Sequence, residues 1–226
     1  MGTLYLVRHG QASFGAENYD QLSHLGHQQS RCLGEFFSRA EIQFDRVFTG
    51  GLQRHAQTWS GIAQGMGLSE AISPQVLLKP SLNEYDSHAL IRCIHTDPLE
   101  KPEHREQVQA YFRLLGKGLS HWMEGTTRPQ GMPSYADFEK GVVSVLDEVR
   151  NSNDKSVLLV SSGGPIATAV GYLLDVNVQA RIDLNMQIRN SAVSEFHFST
   201  KQHKLLTFNT LPHLDPVVHK SWITYA

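Results

Sequence analysis

Two cysteines, Cys32 and Cys93, are all that the 226 residues contain. A pair so spaced fits neither a disulfide framework nor a zinc site, and both are read as reduced thiols. An excess of charge of one sign is missing too: 20 Lys and Arg stand against 22 Asp and Glu, a formal charge of −2. That balance lacks the broad basic field which nucleic acid requires, so no nucleic-acid partner is expected and any anion must be held by local positive charge. No apolar run approaches the roughly 20 residues of a membrane-spanning helix, which excludes a membrane partner at this level. No basic stretch followed by a long apolar one opens the chain, so a signal peptide is not expected and a cytoplasmic location is. The 12 histidines are scattered and none falls in an HExxH pattern, so neither a metal nor a cofactor is expected. Repeats and low-complexity tracts are absent. What remains is an ordinary composition, long enough to bury the core of one large domain with an inserted cap.

Two stretches share an unusual shape. "LYLVRHGQAS" (4–13) and "SVLLVSSGGPI" (156–166) are apolar runs that stop abruptly, the first at Arg8, His9 and Gly10, the second at Ser161, Ser162 and two glycines. Each reads as a buried strand followed by a tight turn. Further strands are expected at 44–50, 75–86 and in "SAVSEFHFS" and "KLLTFNT". Helical spacing covers 22–40 with Ser23 as N-cap, 52–67 with a glycine stop, 134–151 with Ser134 as N-cap and Asp137 in the first turn, and 165–175 opened by Pro165. Strands alternating with helices predict an α/β fold, a mostly parallel central sheet sandwiched by helices. Residues from about 87 to 133 are rich in His, Pro, Glu and Arg, and predict a helical cap insertion after Glu84 within a single domain, 1–226.

In such sheets, sites collect at the carboxyl ends of the strands. That rule gathers Arg8, His9 and Gly10 with Glu84 and with Ser161 to Gly164 on one rim. Positive neighbours keep an imidazole neutral, and a neutral imidazole with one free nitrogen is a nucleophile toward phosphorus. Gly10 would let the backbone approach an anion closely. Arg54 in "GGLQRHAQT" sits near a helix start, where free N–H groups and a guanidinium fork both favour phosphate. Glu84 in "SLNEYD" would gain a raised pKa beside bound phosphate and could protonate a leaving oxygen. Each residue taken singly also fits a plainer role: a loop histidine, a surface arginine, a solvated glutamate.

Together, "LVRHG", "GGLQRHAQT", "LNEYD", "LLVSSGGPI" and "IRNSAVSEF" resemble the histidine phosphatase superfamily, also called phosphoglycerate mutase-like, in the right order over nearly the whole chain. The resemblance implies an α/β fold. It implies that His9 becomes phosphorylated, that Arg8 and Arg54 grip the phosphate, and that Glu84 is the proton donor. It adds Asn18 as a position that touches substrate, and Asn190 as a family position read here as shaping a turn. The departure is Ser162, where the family has a second histidine in "SHGG". A serine with Gly163 behind it still offers donors to phosphate, but no charge. Losing one charge-assisted hydrogen bond costs about 1.5–3 kcal/mol, roughly 10- to 200-fold in rate. His55, His88, His197 and His213 are spare imidazoles, and His213 is the preferred substitute because the family's C-terminal segment runs near the site. Tyr85 is a candidate to line the pocket, with cap surface as the equal alternative.

The expected function is a metal-independent phosphomonoester hydrolase acting through phosphohistidine on a small phosphorylated metabolite. Mutase-type phosphoryl transfer is the nearer alternative, disfavoured by "NEYDSHAL" where resembling mutases carry an "ERHYG"-like string. A phospho-ligand binding protein, weakened in catalysis by Ser162, is the other. Neither the substrate nor the oligomeric state is legible.

Overall fold

The computed structural model describes residues 1–13, 20–69, 71–97 and 104–225. Among these residues, six strands form one sheet: β1 (Gly2–Arg8), β2 (Arg46–Thr49), β3 (Gln75–Leu78), β4 (Ser156–Ser161), β5 (Val193–Phe198) and β6 (His203–Thr210). Their order is β3-β2-β4-β1-β5-β6. The first four run parallel, and β5 and β6 pair antiparallel. The expected α/β architecture with a mostly parallel sheet is therefore what the chain adopts.

The apolar runs are continuous because the inner strands are buried on both faces. Along β1, Leu4 and Leu6 join one core cluster with Val157 and Leu159, while Val7 joins another with Leu158 and Val160. The second cluster is closed by Leu33 and Phe37 of α1 (His24–Arg39) and Ile62 of α2 (Gln53–Gly65). The first is closed by Val142, Val145 and Val149 of α5 (Tyr135–Arg150) and Ile166 and Val170 of α6 (Gly163–Leu173). Two of the expected caps form: Ser23 accepts from the Gly26 N–H and Ser134 from the Asp137 N–H, each satisfying a donor that the first turn cannot pair internally.

Three sequence expectations shift. The strand expected over 75–86 ends at Leu78, because β3 is an exposed edge strand and Pro80 opens a single 3-10 turn, Pro80–Leu82. The helix expected from Pro165 starts at Gly163, with Ser162 at its N-cap. Pro165 is thus third in the helix, where a missing N–H still costs no intrahelical bond. A helix not foreseen, α7 (Val178–Gln187), packs on the segment after Glu84. That segment is helical, as α3 (Ser87–Arg92) and α4 (Arg105–Met123). A third cluster of Leu90, Ile91, Leu119, Trp122 and Ile182 ties α3, α4 and α7 together, and the Trp122 indole donates to the Pro133 carbonyl at 3.0 Å.

Candidate active site

β1 and β4 are parallel neighbours with Arg8 opposite Ser161, and the His9 N–H donates to the Ser161 carbonyl at 2.8 Å. The two abrupt stops in the sequence therefore fall on the same edge of the sheet. A third element reaches that edge: the chain leaves β2 and enters α2, with Arg54 and His55 in its first turn. The fourth is the segment after the 3-10 turn, which carries Glu84 and is fastened by a 2.7 Å bond from the Ser161 hydroxyl to the Leu82 carbonyl.

His9 is 3% exposed. Its Nδ1 lies 2.7 Å from the Gly10 carbonyl oxygen. A carbonyl only accepts, so Nδ1 carries the proton. Arg54 Nε, which only donates, meets Nε2 at 3.2 Å. The tautomer is thereby fixed, with the Nε2 lone pair facing a guanidinium. Burial, then the charges of Arg8 and Arg54, hold this imidazole well below the usual histidine range, so the ring is neutral at physiological pH.

Gly10 serves the fold rather than an anion's approach. A Cβ there would lie 2.4 Å from the Gly26 carbonyl oxygen of α1 and 2.9 Å from the Ser30 hydroxyl. The space a side chain would need is filled by helix, and the Gly10 N–H is bonded to Thr58 at 3.0 Å.

Arg54 is buried and its fork touches several groups. Nη1 pairs with Asp20 at 2.8 Å and Nη2 reaches the Ser162 hydroxyl at 3.4 Å. Asp20 also accepts from the Gln53 N–H at 2.9 Å, so it sits over the start of α2. Arg8 Nη1 donates to the Ile188 carbonyl, and to the Tyr225 carbonyl at 2.6 Å. The C-terminal segment is fixed there by further bonds: Gln29 donates to the Trp222 carbonyl at 2.7 Å, and the Thr224 hydroxyl to Asn190 at 2.9 Å. Asn190, with an N–H···O contact of 3.4 Å to the His9 carbonyl, lies at the turn into β5.

Glu84 accepts the Gly164 N–H on both oxygens, at 3.1 and 3.3 Å, at the start of α6. Burial raises its pKa, against the opposing pull of Arg8, the Gly164 N–H and Arg54. Tyr85 beside it is also buried, and its hydroxyl accepts from the Asn185 amide at 2.6 Å. Burial, and then the Glu84 charge, push this phenol well above its usual value.

Ser162 is fully buried, yet its hydroxyl does not cap its own helix. It lies 2.7 Å from Nε2 of His55, itself 0% exposed. The His55 and His9 ring centroids are 5.7 Å apart. Burial, with Arg54 second, takes His55 down to about 3. His213 is placed elsewhere. Its Nε2 contacts the Ser191 hydroxyl at 3.0 Å, while Ser191 bonds to the carbonyl of His9 and not to its ring. The imidazole beside Ser162 is that of His55. Asn18 lies outside the described residues.

The structure thus joins His9, Arg54, Ser162, Gly163 and Glu84 around one rim, with the charge of Arg8 felt by both His9 and Glu84. Sequence reasoning did not single out Asp20 or Asn185. Neither belongs to a motif, since their partners, Arg54 and Tyr85, lie 34 and 100 residues away. Among the described residues, no three His, Cys, Asp or Glu side chains cluster as they would to hold a metal ion, and no helix is long and apolar enough to cross a membrane.

Residues 4–211 match one family model, the histidine phosphatase superfamily, branch 1. Over 219 residues the chain is 23% identical to a Hydrogenobacter thermophilus protein provisionally named phosphoserine phosphatase 2, covering 94% of this chain and 98% of that one. A 2,3-bisphosphoglycerate-dependent phosphoglycerate mutase of Allorhizobium ampelinum is 37% identical over 120 residues, which is 50% of this chain and 54% of the mutase. Among solved structures, a mutant phosphoserine phosphatase from Entamoeba histolytica in complex with phosphoserine superposes with a TM-score of 0.64 at 21% identity. That likeness covers 95% of this chain and 100% of the other, and it is a likeness of fold.

Proposed function

This chain belongs to the histidine phosphatase superfamily, and from that premise we propose that it is a phosphomonoester hydrolase that forms a phosphohistidine on His9. The observation that carries the reading is the tautomer of His9. Its Nδ1–H is tied to the Gly10 carbonyl, and its Nε2 lone pair faces Arg54. A nucleophile toward phosphorus needs that lone pair. A phosphate also needs the cation beside it.

The substrate phosphate docks between Arg8, Arg54, the Ser162 hydroxyl and the Gly163 end of α6. The hydrogen bond from Arg54 Nε transfers from His9 to a phosphoryl oxygen and frees Nε2. Nε2 attacks phosphorus, the bond to the ester oxygen breaks, and Glu84 gives that oxygen its proton. Water then attacks the phosphohistidine, Glu84 takes the proton back, and the P–N bond breaks to release inorganic phosphate. Positioning and electrostatics carry such a transfer, and the arginines, rather than a metal, supply the positive charge. The substrate class is a small phosphorylated metabolite. This is supported by the full-length relative named for phosphoserine and by the structural neighbour bound to it.

The test is p-nitrophenyl phosphate hydrolysis by wild type and His9→Ala, with an acid quench to trap labelled phosphoenzyme. Wild type should turn over and label, and His9→Ala should lose at least about 10³-fold. Turnover that survives His9→Ala would end the reading, and phosphate binding without turnover would leave a binding protein. The half-length match to a mutase favours one second reading. Transfer of phosphate within a bisphosphorylated sugar acid, faster than its release, would establish that one instead.

A further inference from the structure

Ser162 is an odd residue to find fully buried at a helix start. Its hydroxyl makes no bond to its own helix. It is turned sideways, 2.7 Å from His55 Nε2 and 3.4 Å from Arg54 Nη2. A hydroxyl has one proton and two lone pairs. The guanidinium can only donate, so it uses one lone pair. If the imidazole also donates, the second lone pair is used, and the hydroxyl proton is left for a third partner. Arg54 belongs to the phosphate cradle of the proposed phosphatase, so a phosphoryl oxygen held there is that partner.

We propose that His55 is a positioning residue for phosphoryl transfer: its Nε2–H donates to Ser162 Oγ and turns the serine hydroxyl into a fixed donor to the phosphoryl group. The inference rests on the phosphatase reading and extends it to a residue pair that no motif joins. Neither group changes its net charge. In the resting pair the serine can donate to Nε2. When phosphate arrives, the proton on the neutral ring sits on Nε2 and the hydroxyl turns outward. The donor is thus a short hydroxyl backed by an imidazole from another helix. The two side chains fill one buried space, so an imidazole at 162 and one at 55 exclude each other.

That exclusion makes the pair testable. Hydrolysis of p-nitrophenyl phosphate is measured for wild type, His55→Ala, Ser162→Ala, the double alanine variant and the swap His55→Ala with Ser162→His, with His9→Ala as the reference for chemistry at this site. Each single alanine should lower kcat about 10- to 30-fold, the cost of one donor, with a smaller change in KM. The double variant should be no slower than the slower single, because the two residues act in series. Ser162→His alone should be impaired, and the swap should recover to within about threefold of wild type. If His55→Ala melts below the assay temperature, His55→Gln, which keeps a donor, is compared with His55→Leu, which keeps only volume. The glutamine should stay near wild type and the leucine should fall. Turnover that depends on His9 but is indifferent to His55, or losses that multiply in the double variant, would overturn the role of His55 alone. Turnover independent of His9 would overturn the phosphatase reading beneath it.

Discussion

A carboxyl group that is to give away a proton must first keep one, and a histidine that is to attack must not. Burial does both here. It raises Glu84 and lowers His9 within one site, so the acid and the nucleophile are set apart by their surroundings. The opposing pull of two arginines and two backbone N–H groups on Glu84 keeps that rise in check, and a bound phosphate would push it further. Glu84→Gln keeps the shape and removes the proton. For an alkyl phosphate, whose leaving oxygen needs that proton, kcat should fall about 10²- to 10⁴-fold. For p-nitrophenyl phosphate, whose leaving group departs unprotonated, the loss in the first step should be much smaller. Comparing burst rates on the two esters checks this, and equal losses would argue that Glu84 only holds the Gly164 N–H. The sign of the pH dependence follows. Activity on alkyl esters should decline as pH rises through the raised value of Glu84, and that decline should vanish in the glutamine variant.

The start of α6 shows how an element sets a site. A Cβ on Gly164 would lie 2.2 Å from the Glu84 carboxylate and 2.5 Å from the Tyr85 ring. Gly164→Ala must therefore displace Glu84, and a misplacement on the order of 1 Å costs about 10²-fold. Alanine favours a helix over glycine by roughly 1 kcal/mol, so kcat should collapse while the denaturation midpoint holds. The N-cap variant Ser134→Ala should do the reverse, costing about 1 kcal/mol of stability and leaving kcat alone. Much at this scale was written locally. The polar stops of β1 and β4 declare themselves because an apolar run cut by Arg8 or Ser162 has few other uses, and parallel pairing then sets them side by side. The helix α7 was also there to be read: Val178, Ile182 and Met186 recur every fourth residue and all face the third core cluster. What local pattern cannot carry is partnership at a distance. His55 and Ser162 are 107 residues apart, and each reads singly as a spare histidine and a missing one. Gly10 was misread for a related reason. A glycine says that something comes close, and only the fold says that it is the Gly26 carbonyl and not a ligand.

The molecule as a whole keeps several imidazoles neutral by burying them: His9 well below its usual value, and His55 and His213 down to about 3, burial being the largest cause each time. In the unfolded chain these groups titrate near about 6.5. Below that value the unfolded state binds more protons than the folded one, so stability falls as the solution is acidified. Each such group costs up to about 1.4 kcal/mol per pH unit until its folded value is reached. Glu84 works in the opposite sense. Its raised pKa makes the folded state the better proton binder between its folded and unfolded values, so acid relieves its cost, but it is one group against three. A net slope of a few kcal/mol per pH unit is large against the roughly 5–15 kcal/mol that holds a domain together. Urea midpoints measured at about pH 7, 6 and 5 should therefore drop steeply. His213 is bonded to Ser191 and lies apart from the His9 ring, so His213→Gln should flatten the slope without changing kcat for p-nitrophenyl phosphate. A midpoint that stays level down to pH 5 in wild type would mean that the buried rings are protonated in the folded state. A cationic His9 could not attack phosphorus, so the same titration bears on the chemistry as well as on the fold.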